Sequence, residues 1–202
     1  SKFRGAPFWA WNCKLDKEMM TRQIEYFKEM GLGGFHMHCR TGLDTPYMSE
    51  EYLEVVKACV EKAKQEKMYA WLYDEDRWPS GAAGGLVTKD RQYRARYLVF
   101  CPWKQEEMPP SHQTHGSSMR HLAQQGNGKL LARYQVQIQD GVLKSYKRLS
   151  EGEEIPCGGQ TWYVYEEIAP DSGWFNDQAY LDTLNPKAVE RFIEETHEVY
   201  YR

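Results

Sequence analysis

The sequence lacks the features that mark several large classes of protein. No apolar run approaches the roughly 18 residues that a membrane-spanning helix needs, and no signal peptide is visible. The five cysteines are widely spaced and include no CxxC pair, which argues against a zinc knuckle and a dithiol redox motif. Free thiols are typical of a reducing compartment, so we expect a cytoplasmic protein with no membrane partner.

An excess of charge of one sign is also absent. The net charge is −3 at pH 7 and the pI is about 6.1, so no global field favours a polyanion. The residues that follow the first predicted strand, WNCK at 11–14, bear no likeness to a glycine-rich phosphate loop. These absences argue against a nucleic-acid partner and against a doubly wound nucleotide-binding sheet.

Aromatic residues, in contrast, are abundant. They make up 14% of the chain, with seven Trp and fourteen Tyr. This abundance indicates either a large aromatic core with extra β-structure or a carbohydrate site, where flat rings cover the apolar face of a sugar.

Short apolar runs alternate with amphipathic helices in the first part of the chain. Residues 7–12, 33–38 and 68–73 predict three strands, and Asp16 and Ser49 predict the N-caps of the helices between them. Such alternation is typical of parallel β/α architecture, so we expect an α/β fold that is the N-terminal part of a (β/α)8 TIM-type barrel. The buried stripe predicted for the second helix is Leu53, Val56, Val60 and Ala63.

The pattern changes after Gly85, where a short helical stretch at 86–94 gives way to a β-like run at 97–100. Two β-like runs flank Asp140 and Gly141, a strong hairpin signal, and residues 109–128 have the composition of a loop. A complete barrel takes about 250 residues, so we expect a truncated barrel whose unpaired strand edges favour self-association. The predicted parts are barrel units at 1–96, a β-rich insertion at 97–170, and a further barrel strand (180–184) and helix within 171–202.

Polar and aromatic residues recur at the ends of the predicted strands. Barrel enzymes place their sites at these strand ends, so we predict one shared site. Glycoside cleavage needs two carboxylates across the scissile bond, a pairing that neighbouring acids on one strand rarely provide. The catalytic candidate is Glu75, and the predicted substrate-binding residues are Trp11, Asn12, His36, His38, Arg40, Asp74, Asp76 and Trp78.

Other interpretations of these residues remain open. The acids can instead form a loop that pairs with Arg77 or Arg40. His36 and His38 point the same way on a regular strand and can bind a catalytic metal, as in hydrolases of the amidohydrolase type. A carbohydrate-binding module without catalytic activity is a third possibility. The residues by themselves call for no cofactor.

Several segments together resemble one family. PFWAWN at 7–12, GGFHMH at 33–38 and above all YDEDRWPSG at 73–81 resemble the large bacterial glycoside hydrolases related to α-L-rhamnosidases. The resemblance covers most of residues 6–96 and 180–202. It implies a (β/α)8 catalytic domain that hydrolyses a terminal sugar of a glycan.

The resemblance also bears on the roles of single residues. It implies that the catalytic glutamates lie on later strands, so the isolated chain is expected to be inactive. The strand-end residues, Glu75 included, then become substrate-binding or supporting residues. Calcium at the site is compatible with the family. Cys39 and Thr41 occupy variable loop positions, and the sugar specificity stays open.

Overall fold

The chain divides into two compact units. The computed structural model describes residues 3–107, 128–154 and 158–202. One unit consists of residues 1–93 and 171–202, and the other of residues 94–170. The loop predicted at 109–128 lies almost entirely outside the described residues, as does Cys157.

The first unit contains a three-stranded parallel sheet. Its strands are β1 (Phe8–Trp11), β2 (Gly34–Cys39) and β3 (Tyr69–Trp71), in the order β1-β2-β3. Helix α1 (Lys17–Glu29) connects β1 to β2, and helix α2 (Glu50–Gln65) connects β2 to β3. Both strand pairs are parallel, as crossovers through helices require. The three strands predicted from the first 73 residues are therefore confirmed.

Side-chain caps start both connecting helices. The Asp16 carboxylate accepts a hydrogen bond from the Met19 backbone N–H, and the Ser49 hydroxyl accepts one from that of Tyr52. Each cap satisfies a donor that the first helical turn leaves free. Both predicted N-caps are confirmed. Among the described residues, no helix has the length and apolarity needed to cross a membrane.

The two faces of the parallel sheet differ sharply in exposure. Trp9 and Phe35 lie on the face that packs against α1 and α2, where they meet edge to face at 5.2 Å. Phe8, His36 and Trp71 are partners across the three strands on the other face. On that face Phe8 is 63% exposed, whereas Phe35 is completely buried. One face of the sheet is therefore core, and the other presents aromatic side chains to solvent.

The second unit contains a four-stranded antiparallel sheet. Its strands are β4 (Arg96–Cys101), β5 (Lys129–Gln139), β6 (Val142–Leu149) and β7 (Gln160–Ile168), in the order β4-β7-β5-β6. Asp140 and Gly141 connect β5 to β6 with φ values of 51° and 74°. Positive φ at both positions is typical of a type I′ hairpin turn, so the predicted hairpin is confirmed.

The predicted barrel architecture is wrong. The described residues form one parallel and one antiparallel sheet rather than a portion of a (β/α)8 barrel. A barrel needs further parallel strands beside β3, but the strands that follow it in the chain pair antiparallel with one another. The backbone groups of these strands form hydrogen bonds within their own antiparallel sheet. The alternation of parallel strands and helices therefore does not continue after β3.

The strand predicted at 180–184 is also wrong. The Asp182 carboxylate accepts a hydrogen bond from the Leu184 N–H, and the Asp182 carbonyl accepts one from the Asn185 N–H. Such local hydrogen bonds favour a turn over an extended strand. Asn185 then caps α3 (Pro186–Glu195), with proline in the first turn, and α4 (His197–Tyr201) follows directly.

The buried cysteines lead to a testable prediction. Burial raises the pKa of the Cys39 and Cys59 thiols to about 12, whereas Cys13 is exposed. Because the thiolate is the nucleophile, we expect iodoacetamide to alkylate Cys13 in the folded chain and to spare Cys39 and Cys59. Peptide mass mapping after timed alkylation measures this, with labelling in urea as the control. Rapid alkylation of Cys59 without urea would contradict its buried position.

Candidate functional site

The acidic triplet at 74–76 follows the end of β3, and Glu75 is its most enclosed member. The Glu75 carboxylate lies 3.2 Å from His38 Nε2 and 3.2 Å from the Ser80 hydroxyl. Only 4% of Glu75 is exposed. His38 is also buried, and its ring meets the Tyr73 ring edge to face at 4.3 Å. Glu75 is therefore held between the buried His38 ring and the hydroxyl of the exposed Ser80.

Asp74 extends this arrangement towards solvent. Its carboxylate accepts a hydrogen bond from the Ser80 hydroxyl at 2.8 Å and lies 3.1 Å from His197 Nε2. The result is a chain of contacts that runs His38, Glu75, Ser80, Asp74 and His197. The Asp74 side chain is 37% exposed, so this end of the series of contacts is open to a ligand.

The position of Ser80 bears on the roles of the two acids. Its hydroxyl oxygen lies 2.8 Å from Asp74 and 3.2 Å from Glu75, so Ser80 fills the space between the two carboxylates. A glycosidic oxygen would have to occupy that space if these acids flanked the scissile bond. The geometry therefore favours a binding role for Asp74 and a supporting role for Glu75.

Asp76 is a buried structural acid in this arrangement. Its carboxylate accepts a hydrogen bond from Gln178 Nε2 at 2.8 Å and pairs with Arg77 at 3.2 Å. The sequence left open that the acidic loop pairs with Arg77. Asp76 is the acid that forms this pair. Arg40 is exposed, and within the described parts of the chain it forms no ion pair with the triplet.

The two histidines of β2 have different surroundings. His38 contacts Glu75, whereas the His36 ring is stacked between Phe8, at 5.1 Å, and Trp71, at 4.7 Å. In the portion of the chain that the structure describes, no group of three or more His, Cys, Asp or Glu side chains could hold a metal ion. His36 is thus placed by ring contacts on the exposed face of the sheet.

The predicted aromatic residues of the site lie in contrasting positions. Trp78 is 74% exposed on the turn that follows the triplet. Trp11 is buried on the core face, where its ring packs against Tyr52, so it is not accessible to a ligand. Asn12 follows β1 and is exposed. Gly81 ends the segment with a φ of 134°, and a Cβ there would lie 2.8 Å from Leu181.

Helix α4 brings two residues to the site that the strand-end pattern did not identify. His197 meets Asp74, and the Tyr200 hydroxyl donates a hydrogen bond to the Tyr73 carbonyl at 3.3 Å. Burial raises the pKa of Tyr200 to about 12, so its hydroxyl keeps its proton. His197 and Tyr200 are three residues apart, a spacing that places two side chains on the same face of a helix. This spacing was the one signal in the sequence that could have grouped them.

Comparisons with known proteins add no relative. No protein-family model matches the chain. No curated protein and no solved structure matches it either. The resemblance to α-L-rhamnosidase-related hydrolases therefore depends on the motif residues alone.

Proposed function

We propose that this chain is the sugar-binding part of a glycoside hydrolase and that the segment 73–81 lines its site. The observation that carries the proposal is the contact chain from His38 through Glu75 and Ser80 to the partly exposed Asp74. Fixed carboxylate acceptors and an exposed indole ring in one short segment match a ligand that has hydroxyl groups and an apolar face.

Asp74 supplies the polar half of this match. Each of its carboxylate oxygens accepts one hydrogen bond within the protein and keeps a further lone pair for a ligand hydroxyl. Hydrogen bonds to an ionised carboxylate are stronger than those between neutral groups. Because Ser80 and His197 already hold the carboxylate, a sugar can bind it with little further ordering of the side chain.

Trp78 supplies the apolar half. Its ring is largely exposed to solvent and follows Asp74 by four residues in the chain. An indole ring can cover the apolar face of a pyranose and contribute apolar area to binding. The resemblance to α-L-rhamnosidase-related enzymes supports a sugar as the ligand and assigns the catalytic acid and base to residues outside this chain. We therefore propose that the chain binds sugar but does not cleave glycosides by itself.

We expect Trp78→Ala to weaken sugar binding by about tenfold, which corresponds to about 1.4 kcal/mol. The loss follows from removal of the exposed ring. Calorimetric titration of the full chain with methyl α-L-rhamnopyranoside and with methyl glycosides of other common sugars measures it. Tyr26→Ala is the matched control, because Tyr26 is an exposed aromatic residue on α1.

Two results would count against the proposal. A Trp78→Ala chain with the affinity of the wild type would remove the indole ring from the site. A wild-type chain that binds none of the glycosides would contradict the sugar-binding function itself.

A further inference from the structure

We propose that the second unit has a binding face for an acidic oligosaccharide, on which sugar rings pack against a row of aromatic side chains and a carboxylate binds Arg148. The row consists of Phe100, Trp162, Tyr134 and Tyr146, and we call it the aromatic row. It lies on the antiparallel sheet, so the inference does not depend on the sugar site proposed for the first unit.

Ring contacts join the aromatic row across the whole width of the sheet. The Phe100 ring centroid lies 4.8 Å from that of Trp162 and 5.9 Å from that of Tyr134. The Tyr134 ring in turn lies 6.2 Å from that of Tyr146. The four residues come from β4, β7, β5 and β6, which are neighbours in that order. With about 4.8 Å between strands, the row extends over about 14 Å, which is longer than one sugar ring.

The ends of the aromatic row are open to solvent, whereas its middle is held in place. Phe100 is 50% exposed and Tyr146 is 69% exposed. Trp162 and Tyr134 are half-buried, and Trp162 Nε1 donates a hydrogen bond to the Gln160 side chain at 3.1 Å. Rings that are ordered before binding lose little conformational entropy when a ligand packs on them. The row is therefore suited to the apolar faces of several linked sugar rings.

Arg148 adds a positive charge beside these rings. It lies directly opposite Tyr134 on the neighbouring strand, so its side chain projects from the same face of the sheet. Arg148 is exposed, and within the described part of the chain it forms no ion pair. A free guanidinium binds carboxylates through charge-assisted hydrogen bonds. Rings and guanidinium together match a sugar that carries a carboxylate.

The other charged residues of this face reinforce the preference for an acid. The four strands contribute one acid to the face, Glu166, which pairs with Arg96 at 2.9 Å. Lys129 lies opposite Glu166 on β5, whereas Glu167 is completely buried and alternates to the other face. Together with Arg148, these residues give the face three cations and one acid, a net charge of +2 in a chain whose net charge is −3.

A single-stranded nucleic acid also offers flat rings and negative charge, but it matches this face less well. It carries a phosphate at every nucleotide, so a strand with one base on each ring brings one charge for each ring. An oligosaccharide in which a uronic acid alternates with a neutral sugar brings half that charge over the same number of rings. The net charge of the face balances the second ligand and not the first, so the observations favour the oligosaccharide.

Calorimetric titration of the full chain with the hyaluronan tetrasaccharide, in which glucuronate alternates with N-acetylglucosamine, tests the proposal. We expect this ligand to bind and its carboxyl-reduced form to bind about tenfold more weakly, because the reduced form keeps the rings and loses the charge. Added sodium chloride should weaken binding of the acidic form and leave the reduced form unchanged. A deoxyadenylate tetranucleotide should bind more weakly than the tetrasaccharide.

A pair of charge variants locates the carboxylate. We expect Arg148→Gln to weaken binding of the acidic tetrasaccharide by about tenfold and to leave binding of the reduced form unchanged. Lys147→Gln is the matched control and should leave both affinities unchanged. Lys147 is the next residue on the same strand, alternates to the other face and pairs with Glu153.

Ring variants locate the sugar rings. Phe100→Ala and Tyr146→Ala each remove an exposed ring of the row, so each should weaken binding of both tetrasaccharides by about fivefold. Tyr26→Ala is the control, because Tyr26 is an exposed aromatic residue on α1. Phe100 and Tyr146 lie on different strands, so the second variant tests the row if circular dichroism shows that the first does not fold.

The outcomes separate this inference from the proposed function. A chain that does not bind the tetrasaccharide would overturn the inference, and equal affinity for the acidic and reduced forms would overturn the role of charge. Tighter binding of the tetranucleotide would assign the face to nucleic acid instead. If Trp78→Ala weakens tetrasaccharide binding and the Phe100 and Tyr146 variants do not, the proposed function stands and this inference fails. Tetrasaccharide binding that depends on the aromatic row supports this inference even if no methyl glycoside binds.

Discussion

Phe35→Ala is expected to lower the free energy of unfolding of the first unit by about 3–5 kcal/mol. Phe35 is completely buried in β2 and meets the rings of Trp9, at 5.2 Å, and Phe27, at 6.0 Å. Truncation to alanine removes this apolar surface from the core and leaves a cavity that α1 and the sheet fill only partly. Urea unfolding followed by circular dichroism measures the loss as a shift in the transition midpoint.

Phe8→Ala is the matched control for this prediction. Phe8 has the same side chain, lies on the neighbouring strand and points to the other face of the sheet, where it is 63% exposed. Its removal should change the free energy of unfolding by less than about 1 kcal/mol, since most of its surface already contacts water. A loss as large as that of Phe35→Ala would mean that this face is covered in solution, as self-association would produce.

Asp76→Ala is expected to destabilise the first unit by about 3–5 kcal/mol, because it leaves a buried charge without its partner. The Arg77 and Asp76 side chains are 12% and 7% exposed, and Gln178 Nε2 donates to the same carboxylate at 2.8 Å. Removal of the carboxylate leaves the Gln178 donor without this partner and the Arg77 guanidinium without this counter-charge, while Arg77 keeps its hydrogen bond to the Asp76 carbonyl at 2.7 Å. The same urea unfolding experiment measures the effect.

The control for Asp76 is an ion pair at the surface. Glu54 pairs with Lys17, and both side chains are more than half exposed. Glu54→Ala should leave the unfolding midpoint unchanged within error, since water and salt replace most of what such a pair contributes. If Asp76→Ala were equally harmless, the Arg77 side chain would have another way to reach solvent, and Asp76 would not be a structural acid.

The local elements could be predicted because their signals lie close together in the chain. Asp16 and Ser49 cap helices that begin at the next residue, and Asp140 and Gly141 alone suffice for a hairpin turn. The error at 180–184 also has a local cause. The Asp182 carboxylate accepts a hydrogen bond from the Leu184 N–H, and this bond forms a turn where a strand was predicted.

The phase of a buried stripe was harder to predict than its period. Leu53, Val56, Val60 and Ala63 have helical spacing, but Val60 is 41% exposed in α2. The buried residues of α2 are Tyr52, Val55, Val56, Cys59 and Ala63. Apolar spacing sets the period of a stripe, whereas the exact face depends on what packs against it, here the rings of the sheet.

The candidate site was predicted in part. The motif at 73–81 and His38 were identified as polar residues at strand ends, and the structure brings Glu75 and His38 together. Trp11 was placed in the same group by its position at the end of β1, but side-chain alternation turns its ring into the core. His197 was missed, because 123 residues separate it from Asp74.

By itself, the sequence determined the positions of the first three strands, the capped helices between them and the β5-β6 hairpin, since each depends on residues a few positions apart. Only the tertiary structure decided that the strands after β3 pair antiparallel in a separate sheet, which ruled out the barrel. It also decided that the hydroxyl of Ser80 lies between Asp74 and Glu75 and that α4 delivers His197 to Asp74. Strand pairing and side-chain contacts at long range depend on packing across the whole unit, which no local pattern encodes.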